Sequence, residues 1–127
     1  MPVVSATNEV RHLRYFTLQK LIFRNIINLM KEMYVYIMTN KNNTTLYIGV
    51  TSDLVRRVYE HKNGIFDGFT SEYNLNKLVY YEIIDGETQA IEREKKLKKF
   101  YKDYKKRLIT EKNPLWQDLY PEICIEQ

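Results

Sequence analysis

Two short segments rich in Tyr, Val and Ile lie close together in the chain, and they limit its fold more than any other feature. The first covers Tyr34 to Asn40 and the second covers Thr45 to Thr51. Such residues favour strands, and the polar Lys-Asn-Asn-Thr between the segments, residues 41–44, suits a turn. The sequence therefore predicts a β-hairpin.

A helix is predicted directly after the hairpin. Thr51 and Ser52 offer N-cap oxygens, and Asp53 suits the positive end of a helix dipole. Gly64 supplies the residue type that most readily ends a helix in the left-handed conformation. We therefore expect a helix over Asp53 to Lys62.

One further strand and a long helical region complete the predicted domain. Lys77 to Ile84 has strand composition and ends at the turn pair Asp85-Gly86. Glu87 to Thr110 contains strong helix formers without Gly or Pro, which predicts one long helix or two short ones. We expect an α+β fold, in which helices flank a small three-stranded antiparallel sheet. Three apolar residues near the C-terminus are predicted to anchor the chain on the core: Trp116, Leu119 and Tyr120.

The first 32 residues differ in composition from the rest. Between Tyr15 and Met30, apolar residues recur at helical spacing, which predicts an extra N-terminal helix that packs on another surface. Met30 and Met33 directly precede the first strand. Two interpretations stay open: a dispensable extension, or a segment upstream of the true start.

Composition restricts the class of protein. With 127 residues, 44% hydrophobic and 28% charged, the chain has room for one domain with one packed core. Cys124 is the single cysteine, which excludes an internal disulfide and a Cys-based zinc site. We expect a reducing, cytoplasmic setting. No apolar run is long enough to span a bilayer, so no membrane association is expected.

Basic residues are concentrated near the C-terminal end. Residues 92–112 contain ten Lys or Arg and four acidic residues, whereas the formal net charge of the whole chain is only +4. This distribution predicts one basic face, as a polyanionic partner requires. A solvated helix face explains the same charges and, from charge alone, is the more common case.

Glu94 occupies an unusual place in the helical region. It lies in a stripe of apolar residues formed by Ala90, Leu97, Tyr101, Tyr104 and Leu108. Burying an unpaired carboxylate is costly, so this position implies a metal cation, hydrogen-bond donors or a cleft. A rim position, or an i,i+4 pair with Lys98, is the alternative.

Several polar residues together resemble the pattern of GIY-YIG nucleases. The matching elements are Tyr34-Val35-Tyr36, Tyr47-Ile48-Gly49, Arg57 and His61 one turn apart on a helix, and Glu94 on a later helix. The stretch from Leu46 to Gly64 matches most closely. Only Tyr36 of the first triplet is retained, because Tyr34 and Val35 replace its glycine and isoleucine. The resemblance points to the small stand-alone bacterial members of the family, which are related in fold to the nuclease subunit of nucleotide excision repair.

The resemblance implies a metal-dependent DNA endonuclease of repair or recombination. Glu94 would bind one divalent cation, Mg²⁺ or in its place Mn²⁺, which supports the leaving 3′ oxygen. Arg57 would bind the scissile phosphate. Tyr47, Tyr36 or His61 would orient or deprotonate the attacking water.

The resemblance also assigns supporting residues and a DNA-binding face. Gly49 would let its strand pass close to the first helix or the substrate, and Asn113 would support the site. DNA phosphates would contact the lysines of the basic segment, which are Lys95, Lys96, Lys98, Lys99, Lys102, Lys105 and Lys106. The implied division is an N-terminal extension over residues 1–32, a nuclease domain over 33–123 and a tail over 124–127.

Two other functions remain compatible with the sequence. The first is a non-cleaving nucleic-acid-binding module with the same fold, against which the joint presence of Tyr36, Tyr47, Arg57 and Glu94 argues. The second is an interaction protein that binds another protein through its tyrosine-rich surface and N-terminal helix. If the chain does cut both strands of a duplex, one small site requires two visits or a homodimer.

Overall fold

A three-stranded antiparallel sheet is the centre of the structure, a computed structural model that describes residues 6–65 and 68–125, with side chains from residue 13 onward. The strands are β1 (Glu32–Thr39), β2 (Leu46–Thr51) and β3 (Lys77–Asp85), in the spatial order β2-β1-β3. This architecture, with helices beside the sheet, confirms the predicted α+β class.

Six helices accompany the sheet in the described part of the chain: α1 (Ala6–Met30), α2 (Leu54–Lys62), α3 (Phe69–Glu72), α4 (Glu87–Lys99), α5 (Lys102–Lys112) and α6 (Tyr120–Ile125). The sequence predicted Thr51 or Ser52 as the N-cap of α2, but the N-cap is Asp53, one or two residues later. Asp53 caps this helix, because its carboxylate accepts a hydrogen bond from the Arg56 backbone N–H at 3.2 Å.

The hairpin turn is held by one side chain. The Oδ1 atom of Asn40 accepts hydrogen bonds from the backbone N–H groups of Thr44 at 2.8 Å and Thr45 at 3.1 Å. Asn43 takes the left-handed conformation with φ of 58°. The turn therefore fixes a register in which Tyr36 pairs with Gly49.

The long helical region is two helices, not one. Phe100 and Tyr101 have extended backbone, with ψ near 150°, and this ends α4 and redirects the chain into α5. Because of the break, the predicted apolar stripe stops at Leu97, and Tyr101 is 88% exposed. The continuation of the stripe through Tyr101 was wrong, since Phe100 turns inward and packs on the core instead.

Alternate side chains of β1 enter two separate hydrophobic clusters. Val35 and Ile37 pack with Leu97 of α4 and Ile109 of α5 on one side of the sheet. Tyr36 and Met38 pack on the other side with residues of α2 and α6, which include Leu54, Val58 and Ile123. The central strand is thus buried on both faces, and each face presents its side chains to a different pair of helices.

Asn113 holds the C-terminal segment on a β-bulge. Ile37 pairs with Tyr80 and Met38 with Leu78, so Val79 is the extra residue of β3. The Asn113 amide donates to the Val79 carbonyl at 3.1 Å and to the Gln117 carbonyl at 2.8 Å. Its Oδ1 accepts from the Gln117 N–H at 3.1 Å. All the hydrogen-bonding atoms of this side chain are therefore used in holding backbone.

The apolar residues that follow pack as expected. Trp116, Leu119 and Tyr120 are partly buried against the core clusters, and the Leu119 N–H donates to the Leu78 carbonyl at 2.8 Å. Helix α6 continues to Ile125, two residues into the predicted tail. Residues 126 and 127 lie outside the described part.

The predicted N-terminal helix is present, but its predicted packing is not. Eleven large apolar side chains of α1 are each 46% to 73% exposed: Leu13, Tyr15, Phe16, Leu18, Leu21, Ile22, Phe23, Ile26, Ile27, Leu29 and Met30. Helical periodicity therefore predicted that α1 forms, but it did not predict what its apolar side chains contact. Among the described residues, none of the helices is both long enough and apolar enough to cross a membrane.

We predict that Asn113→Ala lowers the free energy of unfolding by about 2 to 3 kcal/mol, because it leaves the buried Val79 carbonyl without a donor. Urea denaturation measures the change. Asn63→Ala is a matched control, since the Asn63 amide donates to the Tyr59 carbonyl at an exposed site. An equal effect of both substitutions would contradict the structural role of Asn113.

Candidate active site

Gly49 provides space for the ring of Tyr36. The two residues are directly opposed in the β1–β2 ladder. A Cβ atom on residue 49 would lie 2.4 Å from both Cζ and Oη of Tyr36, well inside van der Waals contact. The nearest neighbour of this glycine is therefore the Tyr36 side chain, a contact that the sequence did not predict.

Tyr36 is linked through His61 to Thr70. The Tyr36 hydroxyl lies 2.9 Å from Nε2 of His61, and Nδ1 of the same ring lies 3.2 Å from the Thr70 hydroxyl. All three residues are buried, and Tyr36 is only 2% exposed. The sheet, α2 and α3 thus each contribute one residue to a continuous polar chain.

Tyr47 completes an aromatic group around His61. Its ring meets the His61 ring edge to face, with centroids 5.4 Å apart, and the Tyr36 ring lies 6.3 Å away. Tyr47 is only half-buried. Of the two phenols, Tyr47 is therefore the more exposed.

The environment keeps both Tyr36 and His61 uncharged. Burial raises the pKa of the Tyr36 phenol, and the nearby Tyr47 raises it further, which outweighs the opposing effect of Arg57. Burial lowers the pKa of His61, and the Arg57 guanidinium lowers it further. Near neutral pH the pair is therefore a protonated phenol beside an imidazole that can accept a proton.

Arg57 and Glu94 act on the same phenol from two different helices. The charge of Arg57 lowers the pKa of Tyr36, and that of Glu94 raises it. The Glu94 side chain is 12% exposed and forms an ion pair with Lys98, whose side chain is 56% exposed. The pairing between positions i and i+4 that the sequence left open is therefore present.

The donor atoms at Glu94 suit a hard divalent cation. Among the described residues, no three His, Cys, Asp or Glu side chains converge as an enclosing set of metal ligands. Mg²⁺ keeps several water ligands and is commonly bound by one or two carboxylates. The Glu94 carboxylate could serve as such a ligand once Lys98 is displaced from it, and Mn²⁺ accepts the same oxygen ligands.

The other residues of the predicted site lie elsewhere or have other partners. Asn113 makes the backbone hydrogen bonds of the β-bulge. Lys102 donates to the Thr44 carbonyl and Lys105 to the Lys98 carbonyl. Of the seven lysines expected to contact DNA, all in the described chain, four have no side-chain hydrogen bond or ion pair: Lys95, Lys96, Lys99 and Lys106.

Thr70 was not predicted as part of the site. It lies nine residues after His61, in a four-residue helix that follows a loop. No periodicity or short motif marks such a residue, because only the path of the loop brings it to the imidazole. The hydrogen bond between the Thr70 hydroxyl and His61 can therefore be recognised only in the three-dimensional structure.

Comparison with known proteins agrees with this geometry. The model of the GIY-YIG catalytic domain matches residues 32–108. The chain belongs to the GIY-YIG family. A UPF0213 protein of Staphylococcus saprophyticus is 34% identical over 82 residues, which are 65% of this chain and 99% of the relative. Another UPF0213 protein, from Clostridium perfringens, is 36% identical over 80 residues, which are 63% of this chain and 85% of that protein.

A solved structure is also similar. The solution NMR structure of the UPF0213 protein BH0048 from Bacillus halodurans is 25% identical, with a TM-score of 0.45, over 68% of this chain and 92% of that one. The family match begins at β1, so α1 lies outside the matched GIY-YIG domain.

We predict that Gly49→Ala lowers the free energy of unfolding by about 1 to 3 kcal/mol, because the added methyl group displaces the Tyr36 ring. Thermal and urea unfolding measure the loss. In a Tyr36→Leu background the same substitution meets a smaller side chain, so its cost should fall below half. Equal costs in both backgrounds would disprove the contact.

We predict that acid weakens the fold through His61. Because the folded-state pKa lies below the ordinary 6.5, the unfolded chain takes up the proton first. The contribution of His61 to stability is complete above pH 6.5 and is lost as pH falls toward the folded-state pKa. Urea denaturation at several pH values should show this slope in the wild type and not in His61→Gln. An unchanged slope in the variant would assign it to other groups.

Proposed function

We propose that the protein is a metal-dependent DNA endonuclease. The observation that carries the proposal is the convergence of Tyr47, His61, Arg57 and Glu94 on the Tyr36 phenol, within a GIY-YIG domain. Phosphodiester hydrolysis needs a proton acceptor for the attacking water, a cation for the phosphoryl oxygens and support for the leaving oxygen. These five residues supply each of the three.

His61 is the proton acceptor in this proposal. Its lowered pKa favours a neutral imidazole, whereas the raised pKa of Tyr36 disfavours a phenolate. As the water oxygen bonds to phosphorus and the bond to the 3′ oxygen breaks, the water proton passes to the Tyr36 hydroxyl. Tyr36 gives its own proton to Nε2 of His61 across 2.9 Å. The half-buried Tyr47 orients the water.

Arg57 stabilises the charge that develops on the phosphate. Its planar guanidinium can donate two hydrogen bonds to one phosphate, which an ammonium group cannot do in the same geometry. The same cation lowers the pKa of His61. Arg57 thus keeps the imidazole unprotonated before the reaction and binds the substrate during it.

Glu94 would hold Mg²⁺, or Mn²⁺ in its place. The bound cation supplies Lewis acidity that supports the leaving 3′ oxygen. In the absence of substrate, Lys98 neutralises the Glu94 carboxylate. Glu94 therefore has an exposed partner that can be exchanged for a metal without leaving a carboxylate unpaired near the core.

The lysines of α4 and α5 would hold the DNA backbone. Lys95, Lys98 and Lys99 lie on one face of α4 beside Glu94, at the spacing of one helical turn. Contacts of lysine with phosphate are independent of sequence and weaken with salt. Such binding suits an enzyme of DNA repair or recombination, which meets many sequences.

We predict that purified protein nicks supercoiled plasmid with Mg²⁺ or Mn²⁺ and not with EDTA. Glu94→Ala and Arg57→Ala should each abolish nicking, and Arg57→Lys should lower kcat about 100- to 1,000-fold, because it loses the planar donor pair. His61→Ala and Tyr36→Phe should lower kcat with little change in DNA affinity. Gel assays of nicking and fluorescence anisotropy measure the two quantities.

The control is Lys77→Gln, which removes a lysine that is not among the proposed site or DNA-binding residues and should cut at the wild-type rate. Circular dichroism checks that each variant is folded. If the wild type binds DNA but cuts no plasmid, branched or single-stranded substrate with either metal, the non-cleaving binding module is the better description.

A further inference from the structure

A partly buried ionic network joins β3 to the residue directly before Glu94. Arg93 donates from Nε to Oε2 of Glu82 at 2.9 Å and from Nη2 to Oε1 at 2.8 Å. The hydroxyl of Tyr80, which is almost fully buried, donates to the same carboxylate. The ammonium group of Lys112 in α5 lies 5.1 Å from the centroid of the Tyr80 ring. None of these four residues is among the five proposed site residues.

The apolar contacts of α4 only weakly fix how this helix is rotated about its own axis. Of its thirteen residues only Ala90 and Leu97 are buried, and Ala90 is small. The helix begins at Gly86 without a side-chain cap. A methyl group and one leucine allow a helix to rotate about its axis more easily than a row of large interdigitated side chains does.

The bond between Arg93 and Glu82 removes this freedom. A bidentate guanidinium–carboxylate pair is planar, and both of its bonds break when either partner rotates. The side chains of Arg93 and Glu82 are 28% and 15% exposed. Burial raises the pKa of Glu82, but the hydrogen bonds from Arg93 and Tyr80, together with the charge of Arg93, outweigh it and hold the pKa below its ordinary value. The carboxylate therefore stays charged, and the bond persists at neutral pH.

A small rotation of α4 would displace Glu94 by a distance that matters for catalysis. Side-chain ends lie about 6 Å from a helix axis, so a rotation of about 20° moves them by about 2 Å. A misplacement of about 1 Å can lower a rate by about 100-fold. Because Arg93 is the neighbour of Glu94 on α4, fixing Arg93 also fixes the position of the Glu94 carboxylate.

We propose that Glu82 and Arg93 are positioning residues that set the rotation of α4 and so aim Glu94 into the site. The inference rests on the proposed nuclease function, because the placement of the Glu94 carboxylate matters for catalysis only if that carboxylate holds the metal. Tyr80 donates to Oε1 of Glu82, the oxygen that also accepts from Nη2 of Arg93, and so helps to fix the carboxylate on β3.

The test compares Glu82→Gln and Arg93→Lys, each of which removes the bidentate pair and keeps the size of the side chain. Both should lower kcat about 10- to 100-fold with KM for DNA within twofold, and the double variant should be no worse than either single variant. Mn²⁺ binding to a complex with non-cleavable phosphorothioate DNA, measured by electron paramagnetic resonance, should weaken in both.

Asp118→Asn is the matched control. It breaks the ion pair between Asp118 and Lys62, which joins α2 to the C-terminal segment far from α4. It should lower Tm as the two test variants do, while kcat and Mn²⁺ binding stay within twofold of wild type. If Glu82→Gln and Arg93→Lys behave like this control, the inference is overturned.

The pattern of results separates the inference from competing explanations. If Arg93 contacted a phosphate directly, Glu82→Gln would release it and would strengthen DNA binding, which overturns the positioning role. A wild type that cuts nothing overturns the proposed function itself. An active wild type with unaffected variants overturns only the role of Glu82 and Arg93.

Discussion

The contact between the Tyr36 ring and the bare backbone of Gly49 is the constraint on which the rest of the site depends. It lets a tyrosine lie flat across the neighbouring strand at a position where any other residue would push it away. From that position its hydroxyl reaches His61 of α2. The Tyr36 side chain therefore joins the sheet to α2, the helix that also carries Arg57. The same side chain packs against Gly49 and makes the hydrogen bond to His61.

Burial of this pair explains a further property of the site. A phenol and an imidazole in water titrate about three to four pH units apart. In the protein, burial moves the pKa of Tyr36 up and that of His61 down. Both groups become harder to charge, so the proton of the hydrogen bond between them stays on the Tyr36 oxygen.

The elements that could be predicted from the sequence are those fixed by neighbours in the chain. The hairpin, α2 and β3 follow from strand composition, turn residues and helix-ending glycine. The resemblance to GIY-YIG nucleases is what grouped Tyr36, Tyr47, Arg57, His61 and Glu94. Three features depend on tertiary contacts and were missed. Thr70 reaches His61 through a loop, Phe100 breaks the helix to fill the core, and Asn113 binds a bulge that no pattern in β3 marks.

The turn held by Asn40 has a consequence for how such a chain can vary. Successive side chains of a strand face opposite sides, so a single inserted residue that slipped the hairpin by one position would exchange the two faces of β2. Gly49 would then no longer face Tyr36, and Ile48 would leave the core for solvent. In most proteins a surface turn is where length changes accumulate without harm. Here the length of the turn decides whether Gly49 faces Tyr36, so a change of length in this turn would disrupt the site.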